Sequence, residues 1–167
     1  MPQTMHEASV GTVARALGNL IHVLEKGAAH AEAKKIEPSV LVNSRLYPDM
    51  FPLSRQVQIA SDVAKIGISR LAQVEAPKWE DNESTFPDLV ARVRKTIAYL
   101  EELDAAKFEG AETRMVTFPT QGESLTWPGG RYLFTRVLPN VFFHCTTTYN
   151  ILRHNGVEVG KKDFLGP

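Results

Sequence analysis

The stretch GRYLFTRVLPNVFFHCTTTYNILRH, residues 130–154, decides the fold. At ~100° per residue, Leu133, Val137, Asn140, His144, Thr148 and Ile151 fall on one line of a helix. Phe134, Leu138, Val141, Cys145 and Leu152 flank that line and widen it into an apolar face. Thr135, Arg136, Thr146, Asn150, Arg153 and His154 take the opposite side. A helix with one wide apolar face must bury it against other elements. Asn140, His144 and Thr148 form a polar ladder inside that face. A buried polar group left unpaired costs ~1–3 kcal/mol, so each needs a partner or a ligand. Pro139 removes one backbone hydrogen bond and is expected to bend the helix beside Asn140.

Upstream, Pro128-Gly129-Gly130 breaks the chain. Met115 and Thr117, then Leu125 and Trp127, flank the turn-forming Pro119–Glu123 segment, which reads as a small β-hairpin over 113–127. A third helix is expected from a Ser84 or Thr85 cap to about Leu103. Leu89, Val90, Val93, Ile97 and Leu100 face inward there, and Arg92, Arg94, Lys95 and Glu102 face water. A linker over 75–85 precedes it. The second helix starts at Pro52, a favourable first position, and ends near Ala72. Leu53, Val57, Ala60, Val63, Ala64, Ile68 and Leu71 form its buried face, with Gln56 as the polar member. Ile59 and Ile66 make a second stripe, which suggests a homodimer contact.

The connector over 31–52 carries one possible helical turn after Pro38, then the proline-bracketed Tyr47 to Phe51 crossing. The first helix spans about 3–29. Val10, Val13, Leu17, Leu20, Ile21 and Leu24 share one face, Arg15, Asn19, His22 and Lys26 the other, and Gly27 lets its end fray. The tail over 157–167 is expected to fold back and bury Phe164. Four one-faced helices predict a single all-α domain over 1–167. It is an up-down four-helix bundle with a small β-hairpin inserted before the last helix.

Lys+Arg and Asp+Glu both number 19, so the formal net charge is zero and no basic footprint for nucleic acid is present. The lone Cys145 fits a reducing compartment. No segment reads as a signal peptide or membrane span, so a cytoplasmic location is expected.

The candidate ligand-binding residues are His144, Asn140 and Gln56, with Tyr47 and Tyr149 as possible lining. His144 has three readings: a hydrogen-bonded core histidine, a pocket residue, or a metal ligand. Thr148 is expected to bond the carbonyl one turn back, and the Asn140 amide the carbonyl freed by Pro139. His6 would meet the last helix near Tyr149 or Arg153. His22, His30 and His154 read as exposed. Helix neighbours point ~100° apart, so Cys145 and His144 make no nucleophile pair. No phosphate loop, nucleophile elbow or HExxH motif occurs.

Pro48-Asp49-Met50-Phe51-Pro52-Leu53 with Gln56-Val57-Gln58 resembles the DinB/YfiT-like superfamily. So do His144 through His154-Asn155-Gly156-Val157 and Lys162-Asp163-Phe164-Leu165-Gly166. The likeness is in particular to a domain-of-unknown-function branch of bacterial proteins. The resemblance implies a four-helix bundle, often dimeric, and in many relatives a divalent metal on three histidines. Here Asn140 and His144 occupy the paired positions, and the second helix has no histidine. Gln56, Ala60 or Ser61 would stand at the third place, so no metal or other cofactor is expected. The expected function is small-molecule binding around the last helix. A metal-dependent transferase or hydrolase with a reduced histidine site, or a structural dimeric interaction module, are the alternatives.

Overall fold

The computed structural model describes residues 3–167. A π-helical turn, Glu7–Gly11, runs straight into α1, Thr12–Lys34. The helix does not fray at Gly27. The alanine-rich run after it favours helix, and Gly27 is buried, with its Cβ position 3.0 Å from a Leu152 methyl carbon and 3.1 Å from the Phe86 ring. The helix stops at Lys35, whose φ is 55°, with Ile36 N–H donating to Ala31 O at 2.8 Å. That is a Schellman-type closure. The short α2, Pro38–Val42, packs against α1 and buries Leu41 and Val42.

In α3, Leu53–Leu71, Pro52 is the extended residue before the first turn rather than part of it. In α4, Phe86–Glu101, Thr85 and Asp88 form a reciprocal capping box. A 3-10 turn, Ala105–Phe108, leads to the hairpin of β1, Met115–Thr120, and β2, Glu123–Pro128. Gln121 and Gly122, at φ 41° and 87°, make its two-residue turn. Phe118 pairs with Leu125 and packs its buried ring on Trp127 and Tyr132.

The last helix is continuous over 129–154: α5, Gly129–Tyr132, a π-helical turn, Leu133–Val137, and α6, Leu138–His154. Leu138 N–H donates to Leu133 O, five residues back. The wider turn sits just before Pro139, where the regular ladder lacks a donor.

The four long helices do not alternate up and down as expected. Gln56 meets His144 and Gly67 meets Val137, so α3 and the last helix are antiparallel. Asp62 meets Arg92 and Ser69 meets Tyr99, so α3 and α4 are parallel. His6 shares a cleft with Phe134, Asn19 shares one with Cys145, and Gly27 touches Leu152. The first and last helices therefore run parallel. Relative to α1 the order is down, down, up, with α1 packed on α4 and α6, and α3 on α4 and α6.

Two successive parallel helices need a long return. At 1.5 Å per residue α3 is about 28 Å long, and residues 72–85, extended, reach about 45 Å. That return is clamped along its length. Lys65 and Lys95 lie 4.2 and 4.6 Å from the centre of the Trp79 ring. Arg92, expected to face water, is 3 % exposed. It pairs with Asp62 at 3.0 Å and with Asp81 and Glu83 at 2.9 Å, and donates to Glu80 O at 3.0 Å. Arg55 pairs with Asp81. The expectation that Arg92 faces water fails: its guanidinium meets Asp62 on α3, and the returning linker closes over it.

The tail also docks on charge. Helix α7, Lys161–Leu165, lies across the polar side of α1. Asp163 pairs with His22 at 2.9 Å and Lys26 at 3.0 Å. Asn19 donates to Phe164 O at 3.0 Å and Arg15 to Pro167 O at 2.6 Å. The Gly160 N–H first, then the hydrogen bonds from Lys26 and His22, hold the Asp163 carboxyl well below its ordinary range. The tail folds back as expected, but Phe164 is only half-buried, against Tyr149 at 6.1 Å.

Candidate functional site

Of the polar ladder, His144 is the member tied to another helix. Its Nδ1 lies 2.6 Å from Gln56 Oε1. The other end of the Gln56 amide donates to Phe51 O at 3.1 Å. A carbonyl can only accept, so the Gln56 nitrogen must face Phe51 and its oxygen must face His144. The proton of the imidazole therefore sits on Nδ1, and Nε2 carries the lone pair. Nε2 has no hydrogen-bond partner among the described residues and keeps some contact with solvent. His144 is 9 % exposed, and that opening includes Nε2. Burial first, and the nearby Arg55 charge second, push the imidazole pKa below its ordinary value. The side chain is a neutral base, oriented by α3 and buried between α3 and the last helix except for a small exposed edge. The Phe143 ring stands edge-on to it at 5.2 Å.

The other candidates separate. Thr148 donates to His144 O at 2.9 Å, the expected backbone bond. Asn140, half-buried, makes no side-chain hydrogen bond within the described residues. It lines a cleft with Arg70, Tyr132 and Arg136 on the hairpin side. Tyr149 turns to the tail, with its hydroxyl 3.5 Å from Val159 O. Tyr47 is 65 % exposed on the connector. His6 stacks edge-on to Phe108 at 5.1 Å, far from Tyr149, because the first and last helices run parallel. Cys145 is buried, and burial pushes its thiol up to about 12. It is therefore no thiolate at neutral pH.

A transition-metal centre needs several free N, O or S donors around one point. Gln56 Oε1 is spent on His144, Asn140 belongs to the neighbouring cleft, and His144 Nε2 is the free imidazole donor. Among the described residues, no group of three His, Cys, Asp or Glu side chains is placed to hold an ion. The residues do not fit a transition-metal centre.

Residues 5–165 match the family described as Domain of unknown function (DUF1993). The chain belongs to that family. A crystal structure of a DinB family member protein from Shewanella denitrificans is similar at a TM-score of 0.89 and 46 % identity. The match covers 98 % of this chain and 92 % of that one. DUF1993 here is thus a DinB-like helical domain. No functionally curated protein matches the chain. No helix of this DUF1993 domain, among the described residues, is long and apolar enough to cross a membrane.

Sequence reasoning missed Arg70, Tyr132 and Arg136 as a group. Their signal was weak, because arginines on outer helix faces are common. They stand on α3 and the last helix, and only the packing of those two helices brings them together.

Proposed function

We propose that this protein is a small-molecule-binding helical bundle whose ligand meets the face between α3 and the last helix at His144. The observation that carries the reading is the Phe51–Gln56–His144 relay. It spends two side chains to leave one imidazole lone pair, in a defined tautomer, open at the surface. A histidine serving packing alone gains nothing from an open Nε2. Neutral Nε2 suits a ligand hydroxyl or N–H that donates to it.

Nitrogen-resolved NMR of the imidazole tests this. The expected result is the Nδ1–H tautomer at pH 7 with a protonation midpoint below 6.5. The sign follows from linkage. A lowered histidine pKa means that the unfolded chain binds the proton more readily. The stability contributed by His144 is present above 6.5 and is lost as pH falls below that value. A fragment screen by ligand-observed NMR should yield binders whose signal disappears in His144→Ala. An Nε2–H tautomer, or no fragment that distinguishes the variant, overturns the proposal.

We also propose a homodimer across the same helix pair. Ile66, 36 % exposed, and Phe51 and Phe143, both 55 % exposed, present large apolar side chains on and beside α3 and the last helix. Light scattering should find a dimer for the wild type and a monomer for Ile66→Glu. A dimer that survives the substitution, or a monomeric wild type, removes this assignment.

A further inference from the structure

One turn of the last helix away from His144, towards the hairpin, lies a cleft of ≈ 210 Å³ between α3, the last helix and β1. Its polar lining is made by Arg70, Arg136, the Tyr132 hydroxyl, the Asn140 amide and the Asp62 carboxylate. Arg70 Nη1 donates to the Tyr132 hydroxyl oxygen at 3.2 Å. That hydroxyl accepts, so its own hydrogen is free to donate into the cleft. Arg136 lies on the opposite wall, with its guanidinium 5.8 Å from the Phe118 ring. Among the described residues, every ion pair that forms leaves Arg70 and Arg136 out. Asn140 adds an amide with no internal partner. The one carboxylate in the lining, Asp62, is already paired with Lys65 at 2.9 Å and Arg92 at 3.0 Å. Of the other arginines, Arg55, Arg92 and Arg94 pair with carboxylates, and Arg114 spends its guanidinium on the carbonyls of Leu71, Lys107 and Glu109. Here two guanidiniums face one small cleft unanswered.

The backbone around the cleft is also special. Gly67 forms its floor, where the Cβ of any other residue would come within 2.8 Å of Val137. Arg136 and Val137 belong to the π-helical turn Leu133–Val137. Such turns recur at functional sites because they re-aim side chains out of helical register. The remaining wall, from Ile66, Phe118 and Pro119, is apolar.

We propose that this cleft binds a small organic carboxylate. Its oxygens would be held by Arg70, Arg136 and the Tyr132 hydroxyl, and its apolar body would lie against Ile66 and Pro119. Planar guanidinium matches the carboxylate fork. The volume is below that of drug-sized sites, which suits a compact ligand. An inorganic oxyanion shares the charge chemistry but leaves the apolar wall uncovered. This assignment does not depend on the His144 reading, and the two fail separately.

The test is an NMR titration of the whole protein with benzoate, benzamide and inorganic phosphate. Benzoate should saturate at millimolar concentrations and shift the amides of Ile66, Tyr132 and Asn140, with benzamide at least tenfold weaker. The exposed Arg136→Gln should weaken benzoate at least tenfold while the thermal midpoint stays put. Arg70→Lys, which keeps the charge but loses the fork, should weaken it several-fold. Equal shifts with benzamide, or full binding by Arg136→Gln, would overturn the proposal. Phosphate binding as tight as benzoate would also overturn the carboxylate assignment.

Discussion

Arg92→Ala is expected to destabilise the protein by about 3 kcal/mol, at the lower end of the ~3–5 kcal/mol for breaking a buried ion pair from one side. The lower end applies because two of the three carboxylates keep a cation: Asp62 retains Lys65, and Asp81 retains Arg55. Glu83 keeps only the Gln58 amide at 3.0 Å, with its side chain 12 % exposed. That near-buried charge carries most of the cost. The loss also has an address. Residues 72–85 return the chain between two parallel helices, and Arg92 holds three of their groups, at Glu80, Asp81 and Glu83. Urea denaturation should show the lost stability, and hydrogen exchange should rise first in that linker. A loss under about 1 kcal/mol, or exchange spread evenly over the bundle, would show that the clamp is incidental.

Gly129→Ala should be as damaging, at about 3 kcal/mol or more, at or beyond the ~1–3 kcal/mol typical of overpacking. The added methyl would stand 2.0 Å from Ala111 O, a backbone atom that no rotamer change can move. Shifting the backbone instead would break Gly129 N–H to Arg114 O at 2.8 Å and Gly130 N–H to Glu112 O at 2.9 Å. Gly130→Ala supplies the contrast. Its methyl would meet Glu112 O at 3.3 Å, a gap that closes with a small adjustment. Alanine there also regains up to about 1 kcal/mol of helix propensity. The expected net change at Gly130 is within about 1 kcal/mol. Thermal melts of the two variants should differ clearly, and equal midpoints would refute the packing argument.

The sequence made some features legible because their causes are local. The long helices follow from apolar residues recurring at three and four. The Thr85 cap and the Gln121-Gly122 hairpin follow from neighbours in the chain. The docking of Phe164 was legible because an apolar residue in a polar tail has few other places to go. The pairing of Gln56 with His144 was half-legible, since both interrupt apolar faces that had to meet. Their relay through Phe51 O was not, because a backbone carbonyl leaves no mark in the sequence. The same holds for Gly27: its packing against Leu152 and Phe86 looks, in sequence, like any helix-weakening glycine.

By itself the sequence determined an all-helical domain with one inserted hairpin, its family likeness, and a polar set on the last helix. Each of these rests on the period of the α-helix or on short-range turn chemistry. Tertiary structure alone decided the direction of the helices, the burial of Arg92, the open Nε2 of His144, and the meeting of Arg70 with Arg136. These depend on which faces touch across the bundle. A helical period states which side a residue occupies, but not what covers that side. The returning linker and the hairpin supply the cover here, and both are placed by contacts far apart in sequence.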